Sequence, residues 1–197
     1  MQSRDVVAGW VDRIRAQIDR SSTSRGPAAA RMVNNLDWTG SMSAIDFLRD
    51  VGKHFRVGTM LGKDIVARRL RSDEGISYTE FSYQVLQGMD FRELYERHGC
   101  TLQLGGNDQW GNLLSGVELI RKTDGAAVHA LTSPLITKAD GTKMGKSEGG
   151  AVWLDPELTS PYAFYQFWLN TADADVVKYL KVFTFRSREE IERSSSR

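Results

Sequence analysis

Three groups of side chains along this 197-residue chain could do chemistry. The first is Tyr83, Gln87 and Asp90, spaced i, i+4 and i+7. On a helix turning about 100° per residue, the three project within roughly 60° of one another. A phenol, an amide and a carboxylate would then share one stripe. Such groups are costly to bury unless each is hydrogen-bonded. The stripe is either a polar seam satisfied by a neighbouring helix or a pocket for a small polar ligand such as an amino acid. The second group is Gly105-Gly106-Asn107-Asp108-Gln109-Trp110-Gly111-Asn112. Its glycines let backbone approach a ligand closely. Asp108 can accept from two sugar hydroxyls, and Gln109 offers both a donor and an acceptor. A tight turn capped by Asp108 is the plainer alternative. The third group is Lys138 to Ser147, where Lys143 and Lys146 stand three apart among glycines. Two such cations could stabilise charge developing on a leaving phosphate group. Solvated lysines in a surface loop are the usual explanation for a stretch of this kind.

Elements are needed to position these groups. The apolar spacing of Val7, Trp10, Val11, Ile14 and Ile18 predicts a helix over residues 6–20. Residues 21–27 read as a breaker, and Arg31 to Leu36 as a short strand. Ser43 suits the N-cap of a helix over residues 44–49, and a further helix is expected over residues 58–70 with a basic tail. The longest helix is expected from Thr79 to Arg97, closed by Gly99. Its apolar residues fall around most of its circumference, which predicts burial on several sides. Residues 101–104 read as a strand entering a glycine turn, 110–122 as a helix and 128–136 as extended chain. Helix resumes after Ser160-Pro161. A strand running through a glycine turn into a helix is an α/β pattern, and ligands of such folds sit beyond the carboxyl ends of the strands.

The bulk composition fits this picture. Hydrophobic residues at 41% and charged residues at 26% are enough for a packed core, and the net charge of +1 gives no global attraction to nucleic acid. An RNA partner would need a local basic patch. Cys100 is the single cysteine, so no internal disulfide is possible and a reducing, cytoplasmic setting is expected. The three histidines are scattered and no metal site is expected. No apolar run is long enough to span a membrane.

Residues 76–90, residues 102–112 and Lys143-Met144-Gly145-Lys146-Ser147 resemble the bacterial tyrosyl-tRNA synthetase family of class I aminoacyl-tRNA synthetases. The last segment is similar to the Lys-Met-Ser-Lys-Ser signature of that class, with glycine in third place. The resemblance runs from about Trp10 to Ile191. It implies an α/β fold: the C-terminal part of a Rossmann-like catalytic domain over 1–134, a connecting segment with the lysine signature over 135–160, and the beginning of a helical anticodon-binding domain over 161–197. It also implies activation of L-tyrosine with ATP, with Mg2+ accompanying the ATP and no tightly bound cofactor. The tyrosyl group would pass to tRNA-Tyr, and the family is homodimeric. By position, Tyr83 and Gln87 resemble ligands of the tyrosine α-amino group, Asp90 the carboxylate that binds the phenol, and Gln109 a neighbour of the tyrosine carboxylate. Gly105, Gly106, Asp108 and Lys146 resemble the ATP site. Lys143, Lys146 and Ser147 resemble the catalytic loop that stabilises pyrophosphate.

The class's His-x-Gly-His signature has no match here, since none of the three histidines stands in such a motif. The family's opening strand region also has no counterpart. The chain is therefore expected to be a fragment, inactive alone and of marginal stability. The alternative function is a non-catalytic synthetase paralogue that binds tRNA or pairs with a full-length synthetase. A tryptophan enzyme of the same class is disfavoured by Asp90, which suits a phenol.

Overall fold

The computed structural model describes residues 2–21, 26–139, 141–142, 144 and 151–195. The chain divides into two compact units, one of residues 33–135 and one of residues 1–32 with 136–197.

The 33–135 unit is built on one long helix. Helix α6 (Tyr78–His98) starts at Ser77, whose side chain accepts from the Glu80 amide while the Glu80 carboxylate accepts from the Ser77 amide. The cap therefore lies two residues before the Thr79 expected from sequence. Gly99 closes the helix in the left-handed region at φ 65°, its amide donating to the Leu94 and Tyr95 carbonyls. Strand β1 (Leu102–Gly106) follows, and a 3-10 turn (Asn107–Gln109) leads into helix α7 (Trp110–Thr123). Strand β2 (His129–Ser133) pairs parallel with β1 in the register Leu102↔His129 to Gly106↔Ser133. This strand–helix–strand unit is the α/β element that the glycine turn implied.

Helices α6 and α7 pack closely because glycine occupies both sides of the contact. A Cβ on Gly88 would lie 3.3 Å from the Ser115 backbone, and one on Gly116 would lie 2.7 Å from Phe91. Phe91, Ile120 and Val128 form one core cluster, while Trp38, Val51, Met60, Val85, Met89 and Leu119 form another. Burial on this scale is the main source of the unit's stability. On β1–β2 only one face is covered, and Leu104 and Leu131 on the other are 65% and 57% exposed.

Preceding α6 are short pieces: α2 (Leu36–Thr39), α3 (Ala44–Asp46), α4 (Val57–Leu61) and α5 (Asp64–Leu70). Three sequence expectations are corrected here. No strand forms at 31–36, because the Asn34 side chain accepts from the Leu36 amide and turns the chain into α2. The expected 58–70 helix breaks at Gly62 and Lys63, where Lys63 is extended at φ −71° and ψ 134°. The helix from Ser43, whose side chain caps Asp46, continues as a π-helical turn over Phe47–Val51 that carries Val51 into the core.

In the other unit, helix α1 (Arg4–Ser21) forms as expected, with Trp10 and Ile14 about half exposed. Helices α8 (Pro161–Leu169), α9 (Asp173–Phe183) and α10 (Arg188–Ser195) follow. Trp168 is the hub of an aromatic core between α8 and α9, edge-on to Phe164, Phe167, Tyr179 and Phe183 at centroid distances of 5.0–6.1 Å. Among the described residues, no helix is long and apolar enough to cross a membrane.

The cap of α6 gives a first test. The Ser77 amide and hydroxyl, aided by Arg69, hold the Glu80 carboxyl below its ordinary value. A carboxyl lowered on folding stabilises the folded state above its unfolded pKa and loses that contribution as pH falls through the folded value. Ser77→Ala is expected to lower the thermal midpoint of this unit by roughly 4–8 °C near pH 7. In melts repeated at pH 3, below the ordinary glutamate value, the gap between wild type and variant should shrink.

Candidate functional site

A cleft of about 820 Å³ opens beside the turn that follows β1. Tyr83 on α6, Asp108 and Gln109 in the turn, and Lys63 ahead of α5 all line it. It therefore lies beyond the carboxyl end of β1, where α/β folds bind ligands. The close quarters explain the two glycines. A Cβ on Gly106 would stand 2.6 Å from the Asp108 carboxylate and 2.9 Å from Leu135, and one on Gly105 would be 3.1 Å from Gln109. Asp108 is exposed to the cleft, and the Gln109 carbonyl accepts from the Asn112 amide at 3.2 Å.

The polar stripe of α6 divides along its length. Tyr83 is 59% exposed and borders the cleft, whereas Gln87 is half-buried and does not line it. Asp90 is half-buried and accepts the Trp38 indole N–H at 2.8 Å and the Asn35 amide at 3.1 Å. Trp38 is itself buried, and the Arg97 guanidinium stands 5.5 Å from its ring centroid. An aligned carboxylate is the result, its two oxygens each engaged by one neutral donor among the described residues. As expected, α6 is buried on several sides, Val85 and Met89 in one core cluster and Phe91 in the other, while Tyr83 and Leu86 face outward. Gln84, not Gln87, is the buried amide, with its carbonyl oxygen unpartnered among the described residues.

Sequence reasoning passed over Asn35, Trp38 and Lys63. Trp38 and Asn35 lie more than fifty positions from Asp90, so no local spacing could pair them. Lys63 extends its ammonium to the Gly111 carbonyl and the Ser115 hydroxyl, both at 2.6 Å. Burial pushes that lysine below its ordinary value, and nearby Glu118 offsets this only in part. The lysine pins the first turn of α7, and so bears on where Asp108 and Gln109 stand. Lys143, Lys146 and Ser147 lie outside the described residues.

The fold defines a partial Rossmann-like α/β domain with a cleft beyond the carboxyl end of β1, followed in sequence by helices. The family of class I tRNA synthetases for tryptophan and tyrosine matches residues 1–197. The chain belongs to that family. The tyrosine-tRNA ligase of Streptomyces griseus subsp. griseus is 69% identical over 188 residues, covering 95% of this chain and 44% of the relative. That of Leifsonia xyli subsp. xyli is 66% identical over 193 residues, covering 98% and 44%. A C-terminally truncated mitochondrial tyrosyl-tRNA synthetase of Coccidioides posadasii is similar with TM-score 0.72 and 32% identity, over 94% of this chain and 55% of that one. The chain thus spans about half the length of the relatives it matches.

Proposed function

We propose that this chain supplies the tyrosine-facing and ribose-facing part of a tyrosine-tRNA ligase. The observation that carries this reading is the meeting of Tyr83, Asp108 and Gln109 on one cleft, with Asp90 fixed by Trp38 and Asn35 on the same helix as Tyr83. Tyr83 and Gln87 would hold the α-amino group of the substrate. Asp90 would accept the phenol hydrogen, and Gln109 would border the substrate carboxylate. Gly105 and Gly106 would let the nucleotide approach backbone, and Asp108 would accept from the ribose hydroxyls.

In this reading the carboxylate of tyrosine attacks the α-phosphorus of ATP and pyrophosphate leaves. The substrate carboxylate is already a nucleophile, so orientation and charge stabilisation carry the rate. Lys143, Lys146 and Ser147 would stabilise the departing pyrophosphate, whose bound Mg2+ enters with ATP. The tyrosyl group then passes to tRNA-Tyr in the cytoplasm. Residues 1–134 would serve the catalytic domain, 135–160 the connection and 161–197 the anticodon-binding helices, in a homodimer.

Tyrosine-dependent ATP–pyrophosphate exchange tests this. The chain is assayed alone, then together with the part of the Streptomyces griseus ligase that it does not match. Background exchange alone and tyrosine-dependent exchange in the mixture are expected. A mixture that stays silent, or one that responds to tryptophan instead, would overturn the reading.

A further inference from the structure

The turn that leads toward the lysine signature is built and held from one side. The Lys138 amide donates to the Thr142 carbonyl at 2.8 Å, and the Met144 amide to the Ile136 carbonyl at 3.1 Å. Gly141 sits at the bend with φ 81°, its amide donating to the Lys138 carbonyl. These bonds make a narrow two-arm stem. Helix α9 grips one arm at two consecutive alternate residues. The Asp175 carboxylate accepts the Ala139 amide at 3.0 Å, and the Lys178 ammonium donates to both the Thr137 hydroxyl at 2.9 Å and the Thr137 carbonyl.

Asp175 is only 5% exposed. A carboxylate buried in the first turn of a helix gains from the helix dipole, but that gain does not require a partner on another segment. Surface aspartates cap helices equally well. What distinguishes Asp175 is that its oxygen reaches across to a backbone N–H of the stem, while Lys178, one turn on, occupies the neighbouring carbonyl and hydroxyl. A carboxylate can accept a backbone N–H and an ammonium can donate to a carbonyl, so the two charges together match the alternation of the stem backbone. Side chains that only packed would show no such match.

We infer that Asp175 and Lys178 are positioning residues that clamp the stem from which the lysine signature extends. The inference rests on the reading that Lys143 and Lys146 act on the leaving pyrophosphate. Ground-state binding of tyrosine involves the 33–135 unit, whereas the stem belongs to the other unit. Loosening the clamp should therefore lower the rate of adenylate formation without weakening tyrosine binding.

Two readouts test this on Asp175→Ala, Asp175→Asn and Lys178→Met. In the full chain, hydrogen–deuterium exchange of the peptide spanning 136–144 should quicken about tenfold or more in Asp175→Ala, since a charged hydrogen-bond partner of a backbone amide is lost. Asp175→Asn keeps an acceptor oxygen and should restore most of the protection. In the mixture that exchanges pyrophosphate, Asp175→Ala and Lys178→Met should lower kcat about tenfold, leaving the tyrosine KM within about twofold. Unchanged amide exchange in the stem, or a tyrosine KM that rises in step with the fall in kcat, would overturn the clamp. Should Asp175→Ala unfold, Lys178→Met still tests the clamp through a lowered kcat at an unchanged tyrosine KM, because Lys178 holds the Thr137 carbonyl and hydroxyl. If the unmutated mixture shows no pyrophosphate exchange, the functional reading fails, and the amide measurement alone still decides whether α9 holds the stem.

Discussion

Replacing Asp90 with alanine is expected to lower kcat/KM for tyrosine by about tenfold to a hundredfold, the worth of a hydrogen bond to a charged group. The same change should leave phenylalanine almost untouched, because that substrate offers Asp90 no hydrogen. What holds the carboxylate sets the size of this effect. Its oxygens already accept the Trp38 indole N–H and the Asn35 amide, which fix its direction. An acceptor so held can take a further hydrogen bond from a phenol at little reorganisation cost. Removing it strands two donors, one on a tryptophan that is 5% exposed, at a further cost to stability of about 1–3 kcal/mol. Asp90→Asn separates the effects. Its one oxygen can satisfy either Trp38 or Asn35, while its NH2 faces the other donor. It should fold better than the alanine variant and still discriminate poorly. Steady-state exchange kinetics with both amino acids, beside thermal melts, will check this. Equal losses for tyrosine and phenylalanine would remove Asp90 from the phenol's neighbourhood.

Gly116→Val is expected to unfold the 33–135 unit or to weaken it by about 2–4 kcal/mol, the upper range for overpacking a core. The added Cβ would meet Phe91 at 2.7–2.8 Å, inside any real contact distance. Phe91 is fully buried among Ile120, Val128 and their neighbours, so it has nowhere to swing. The alternative is for α7 to back away from α6, which would open the Gly88–Ser115 approach as well. A cycle with Phe91→Ala gives the discriminating measurement. If the clash is the cause, the double variant should be more stable than the sum of the two single losses. Strict additivity in urea melts would show that valine acts elsewhere.

Much of this could be read in the chain. Ser160-Pro161 and Gly99 each carry a local signal whose physics needs only neighbours within five residues, and the glycine turn after β1 carries one as well. The same holds for α1 and α7, whose apolar spacing is helical. The spacing of Tyr83, Gln87 and Asp90 gave the direction of the stripe but not its surroundings. Whether a helix face is buried depends on what lies across from it, and Asn35 lies in a segment that sequence alone took for a strand, with Trp38 just past its end. The break at Lys63 was hidden for a similar reason. Nothing local forbids a helix there, and the lysine leaves helical geometry to reach carbonyl and hydroxyl partners about fifty residues away. Gln84 shows the same limit from the opposite side, since a glutamine beside a tyrosine gives no sign that it will face the interior.

The pairing of β1 with β2 also bears on how quickly the chain finds its shape. Each residue of β1 meets a partner only one helix further along, from Leu102↔His129 onward. Parallel strands are slow to form when the intervening chain is long, because the entropy of closing that loop is lost before any contact repays it. Here α7 can form first and shorten the gap. Strand pairing should therefore arise early and locally, and joining residues 33–60 to α6 is left as the long-range step in the folding of this unit.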